Sequence, residues 1–118
     1  DLVTSLMDCG VNTLDLYDSV IKDPDNGQLI TAYKAVNIIG LISAADMSKS
    51  SATIHGGTAL IDVDFDTLLV DTTKAQGALM FRLAESITTV LVHQRVRNHL
   101  ISCGFDDLAF YEPGEVAL

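Results

Sequence analysis

Apolar and polar positions change their period along the chain, and each change marks an element. Leu2, Leu6 and Cys9 fall on one face of a helical repeat after Asp1, a good N-cap residue, and Gly10 supplies a stop. That spacing predicts a short helix from Asp1 to Met7 or Asp8. From Thr13 to Lys22 the period drops to two: Leu14, Leu16, Asp18 and Val20 alternate with Asp15, Tyr17, Ser19 and Ile21. Apolar residues stand on both faces, which blurs the alternation. Asp23, Pro24, Asp25, Asn26 and Gly27 are all turn formers, and Asn26-Gly27 between two strand-like runs predicts a hairpin. Gln28 to Ser43, rich in Ile, Val and Tyr, is the returning strand, with a break expected at Gly40.

Asp46 to Gly57 is small and polar and reads as a loop with at most one helical turn. Thr58 to Asp71 reads as one or two short strands. Ala59, Ile61, Val63 and Phe65 point one way, and Asp62, Asp64 and Asp66 the other. After a linker from Asp71 to Gly77, strands are expected at Ala78–Leu83 and Thr88–Val92. His93 to Cys103 is the best helix: Val92, Val96, Leu100 and Cys103, with Ile101 beside them, share a face, while Arg95, Arg97 and Asn98 face out. Gly104 ends it, and Leu108–Tyr111 is expected to be a closing strand stopped by Pro113-Gly114. The fold class is α+β: mostly antiparallel sheet, a short N-terminal helix, and an amphipathic C-terminal helix followed by the closing strand.

The length, 118 residues, allows a single domain spanning residues 1–118. Apolar residues at 48% against 19% charged are incompatible with disorder. Charge changes the picture more. Seven Lys and Arg face 16 Asp and Glu, a formal net charge of −9. Such a field repels phosphate backbones and anionic lipid, so nucleic acid and membranes are not expected partners, while a basic protein is. The longest apolar run, Ala35 to Ala45, is half of what a membrane-spanning helix needs. Cys9 and Cys103 are expected to be buried free thiols, which fits a reducing, cytoplasmic location.

Candidate chemistry is sparse. Asp62, Asp64 and Asp66 place three carboxylates on one strand face, about 6–7 Å apart. A solvated strand face and a grip on the Lys and Arg of a partner both account for them. A calcium loop would need Gly and Glu where Thr67 and Thr73 stand, so no metal site is expected. His99 and Cys103 are spaced as a thiol–imidazole pair, but no third group completes a catalytic set. His55-Gly56-Gly57 lacks the nucleophile elbow that an esterase requires. No phosphate loop or dinucleotide fingerprint is present, so neither an enzyme nor a cofactor is expected.

An ordered set of segments remains: Tyr33 to Gly40 with Asn37 inside it, Asp46 with Ser48 to Ser51, Ile61 to Asp66, Phe81-Arg82-Leu83, and Cys103-Gly104-Phe105. This set resembles a family of bacterial immunity proteins from polymorphic-toxin systems, the eleventh numbered immunity family, formerly a domain of unknown function. The likeness covers roughly Leu14 to Pro113. It implies a non-catalytic antidote that binds a cognate secreted or contact-delivered toxin in interbacterial competition. Tyr33, Asn37, Asp46, Phe81 and Arg82 match the family pattern, and Arg82 is expected to pair with an Asp. Family members usually carry further sequence upstream, so the domain is expected to lack part of its front.

The resemblance and the charge together imply occlusion of a basic toxin, a nuclease being the attractive candidate. Asp62, Asp64 and Asp66 are the first candidate contacts; Asp106, Asp107, Glu112 and Glu115 are the second. The alternative is a structural or regulatory C-terminal module of a larger bacterial protein. Oligomeric state is left open by the sequence, because the long strand Gln28–Ser43 is suited to a sheet edge that pairs with another chain.

Overall fold

The long hairpin forms where the turn chemistry puts it. In a computed structural model that describes residues 1–55, 62–115 and 117–118, the helix α1 (Leu2–Asp8) is followed by β1 (Leu14–Asp18) and β2 (Ile21–Lys22). The chain returns through β3 (Leu29–Ile30) and β4 (Lys34–Ile38), antiparallel to β2 and β1 respectively. Gly27 sits at φ +70, a conformation open to glycine, and its N–H donates to Asp23 O at 2.8 Å. The side chains of Asp23 and Asn26 each accept an N–H two residues on, from Asp25 and Gln28. The predicted strands are thus each split. Leu14 pairs with Ile38, whereas Ile21 pairs with Ile30, a register one residue out of step across the gap.

Gly40 is the expected break and has a packing reason. A Cβ there would lie 3.1 Å from the Cβ of Phe81. The close approach lets β5 (Leu41–Ile42) run parallel to β8 (Met80–Leu83), with Arg82 N–H donating to Gly40 O at 2.7 Å. β8 pairs on its other side with β9 (Ser86–Val92), giving a three-stranded sheet in the order β5-β8-β9. The helix α2 (Gln94–Ser102) follows directly. His93 is its N-cap, with Nδ1 accepting from Arg95 N at 3.0 Å.

Two expectations need correction. Ser51–His55 is not loop but a strand, β6, antiparallel to β7 (Asp62–Thr67). Its Ser and Thr content hides an alternation that only the partner strand stabilises. The other correction is at the chain's end: Leu108–Tyr111 forms no strand. Leu108 and Phe110 instead lay their side chains on the core between the helices, where side-chain burial replaces ladder bonds. Ala59 and Ile61 of the expected inward row, and the loop end at Gly56-Gly57, lie outside the described residues.

The three-stranded sheet separates two apolar cores. Phe81 and its cross-strand partner Leu91 face the β6–β7 hairpin, meeting Val63, Phe65, Leu68 and Leu83. Met80 and its partner Val92 face the helices, meeting Leu6, Cys9, Val96 and Leu100. β7 is tied in by its backbone: Val63 N–H donates to Glu85 O at 3.2 Å, and Phe65 and Leu118 exchange two bonds of 2.8 Å. The β1–β4 arm stands off this body. The radius of gyration, 16.7 Å, exceeds the ~13–14 Å of a compact chain of this length. Among the described residues no helix is long and apolar enough to cross a membrane.

Candidate functional site

The carboxylate row on β7 has the alternation its sequence implies. Val63 and Phe65 are buried, while Asp64 and Asp66 are exposed. Asp62 occupies the strand opposite His55; its side chain lies outside the described residues. The row is not wholly free for a partner, because His55 Nε2 lies 2.7 Å from Asp64 Oδ2. The spacing of the acids is legible in sequence; the histidine across from them belongs to β6, whose small polar composition suggests a loop.

The second set divides. Asp106 and Asp107 are exposed just after α2. Glu112 and Glu115 are exposed around Pro113-Gly114, where Glu115 Oε2 accepts the N–H of Glu112 at 3.0 Å and Glu115 N–H donates to Glu112 O at 2.9 Å. Glu112 lines a groove of about 520 Å³ between β9 and residues 109–113. Val90, Val92 and Arg97 form one wall, and Phe110 and Tyr111 the other. The Phe65–Leu118 backbone pair ties this end of the chain to β7. No hydrogen bond or ion pair joins the two acidic sets among the described residues.

A surface that sequence reasoning missed is apolar. Directly opposed residues of an antiparallel pair share a face, so Leu16 and Val36 lie together on the arm, as do Ile21 and Ile30 farther out. Leu16, Val36 and Ile21 are 38%, 42% and 45% exposed, and Tyr17, Leu29 and Tyr33 more than half. At the arm's base a shallow depression of about 370 Å³ is lined by Met7, Val11, Leu14 and Leu16. The signal was present in the blurred period of Thr13–Lys22: apolar residues on both faces of a strand need cover on both faces, and a two-stranded arm provides none.

The remaining matched positions mostly serve the fold. Asp46 Oδ1 accepts from Ser48 N–H and Oγ at 3.2 and 2.6 Å, while Ser50 N–H donates to Asp46 O at 2.9 Å. The hydrogen bond from the Ser48 side chain is the main reason that the Asp46 carboxyl titrates below its ordinary range; Lys49 adds to it. Ser50 Oγ accepts from Leu69 N–H at 2.9 Å, which clips this loop to the segment beyond β7. Phe81 is core. Tyr33 and Asn37 are exposed on the arm.

Two side-chain expectations are corrected. Among the described residues Arg82 pairs with no Asp: it donates to Ile87 O at 3.0 Å across the β8–β9 turn. Cys103 is exposed rather than buried, with Sγ 3.7 Å from His99 Nε2, and Ile101 is 48% exposed. The helix turns both past the rim of the core, which Phe105 and Leu108 complete from beyond the helix. Cys9 is buried and also free.

Among the described residues no group of three or more His, Cys, Asp or Glu side chains is placed to hold a metal ion. Glu85 is the one buried charged residue there, 4% exposed, and nothing in its local sequence announces it. No protein-family model matches the chain, and no curated protein matches it at a significant level.

Proposed function

We propose that this chain is a non-enzymatic immunity protein that binds and neutralises a basic bacterial toxin. The observation that carries the reading is the coincidence of two surfaces on one small body. One is an arm whose large apolar side chains are uncovered; the other is the exposed carboxylates that contribute to a net charge of −9. An uncovered apolar surface of this kind marks an interaction site. The charge selects the partner's sign, since a nuclease-like toxin is basic in order to approach phosphates. The acidic field speeds encounter, and desolvation of a small apolar patch sets the residence time. The segment resemblance, from Tyr33 through Phe105, points to the same class of protein.

The test is co-expression with the toxin encoded beside the chain's own gene, followed by association kinetics at rising salt. A complex forms, cells survive, and the association rate falls steeply as the screening length shrinks from about 30 Å at 0.01 M to about 8 Å at 0.15 M. Replacing Asp62, Asp64 and Asp66 by Asn lowers both the low-salt rate and the salt slope. Equal rates and slopes would remove the acidic row from the mechanism; no complex and no protection would end the reading itself.

A further inference from the structure

β9 is the outer strand of its sheet, and its register shows which backbone groups it leaves unused. His93 N–H donates to Leu79 O at 2.8 Å, so that pair is hydrogen-bonded. Bonded and non-bonded pairs alternate in an antiparallel ladder, so Phe81–Leu91 is bonded while Met80–Val92 and Arg82–Val90 are not. Arg82 agrees, since its N–H is spent on Gly40 on the opposite side. The N–H and C=O groups of Val90 and Val92 therefore point off the outer edge, and none takes a partner among the described residues.

Natural proteins blunt such edges with Lys, Pro or bulges. Ser86–Val92 carries no charge and no proline, and its one register shift lies at the turn end, opposite Arg82 and Leu83. This edge forms one wall of the groove of about 520 Å³ whose other wall is Phe110, Tyr111 and Glu112. The free stretch Thr88–Val92 is about 17 Å long, room for a segment of four or five residues.

We infer that this slot takes an extended, Lys- or Arg-bearing segment of a partner protein, which adds to β9 as a further strand. Charge complementarity chooses the occupant. Glu112 and Arg97 both line the slot, while Glu115 shares the turn of Glu112 and Asp106 and Asp107 precede it, so that residues 104–118 carry four acids and no Lys or Arg. The ring of Tyr111, 66% exposed, suits a cationic or apolar side chain laid across it. A second copy of this chain would bring its own −9 to the same place. The inference rests on the reading above that the partner is basic, and adds how a part of it is held: main-chain bonds give affinity, and the acidic wall gives sign selectivity.

The probe is a blocked pentapeptide of alternating lysine and valine, titrated at low salt into isotopically labelled protein and followed by amide shifts. Shifts are expected at Thr88–Val92 and Ala109–Glu112, with slowed exchange at the Val90 and Val92 amides. Two N-methylated isomers of equal charge, one blocking each set of alternate amides, separate backbone pairing from simple attraction. One isomer should lose at least tenfold in affinity and the other should bind normally; a glutamate-for-lysine peptide should fail. Val90→Pro removes an outward donor that the β8 ladder does not use, so it should abolish peptide binding and leave the amide spectrum of the helices unchanged.

Equal binding of both isomers would overturn the slot, as would shifts centred on Asp64 and Asp66, or β9 shifts that track protein concentration without peptide. Should the peptide bind as described while no basic partner protein exists, the slot stands and the immunity reading falls. A toxin complex that leaves the β9 amides unperturbed gives the reverse.

Discussion

Ser43→Ala tests the junction at Glu85. This side chain is 4% exposed; its Oε1 accepts from Ser43 Oγ at 2.5 Å, and its Oε2 has no hydrogen-bond partner among the described residues. Its main-chain oxygen accepts the Val63 N–H, so β7, the end of β5 and the β8–β9 turn meet at this residue. A buried polar group left without its bond costs about 1–3 kcal/mol. Ser43 itself is exposed, so water reaches the vacated position and the lower part of that range, about 1–2 kcal/mol, applies. With an unfolding entropy of about 2.1 cal/mol/K per residue, 118 residues give about 0.25 kcal/mol/K, and Tm falls by about 4–8 °C. Glu85→Met fills the same space without a buried carboxyl and leaves Tm equal or higher. In that background Ser43→Ala is nearly silent, because the bond it breaks is already gone. Thermal melts and urea unfolding at pH 7 read the cycle, with unchanged m-values as the check on two-state behaviour. A Ser43→Ala Tm within 1 °C of wild type, or the same loss in the Glu85→Met background, would refute the account.

Two further predictions concern stability. Phe65 is 1% exposed in the core between the β6–β7 hairpin and the sheet, so Phe65→Ala costs about 3–5 kcal/mol. That is a large share of the ~6–18 kcal/mol a chain of this size has in total, and the urea midpoint reads it. The carboxyls of Asp46, Asp71 and Asp18 titrate below their ordinary values, chiefly through side-chain hydrogen bonds from Ser48, Thr73 and Lys34. The unfolded chain thus binds more protons in the acid range. The stabilisation is complete above the ordinary carboxyl value of about 3.9 and is lost as pH falls through the lower folded values. Tm should drop below about pH 4, and less steeply for the Asp46→Asn, Asp71→Asn, Asp18→Asn variant; equal slopes would disprove the contribution.

Local chemistry was readable along the chain wherever neighbouring residues settle the outcome. The hairpin turn at Asp23–Gly27, the break at Gly40, the inward Val63 and Phe65 with Asp64 and Asp66 outward, and the helix after His93 follow from turn formers and period. Together they make the α+β class evident, because periodicity and turn preference act within a few residues. Asp64 and Asp66 were legible for the same reason, as outward positions on a strand.

What sequence did not contain is how separated segments share cover. Ser51–His55 becomes a strand only because β7 accepts its bonds, and β5 lies parallel to β8 only because Gly40 lets Phe81 come close. Leu108 and Phe110 go to the helical core and form no ladder with β9, whose outer edge stays open among the described residues. Likewise Glu85 is buried by β7 and Ser43, residues 22 and 42 positions away. Burial and backbone pairing are long-range and compete for the same residues, so residue order fixes the candidates, and packing in three dimensions picks among them.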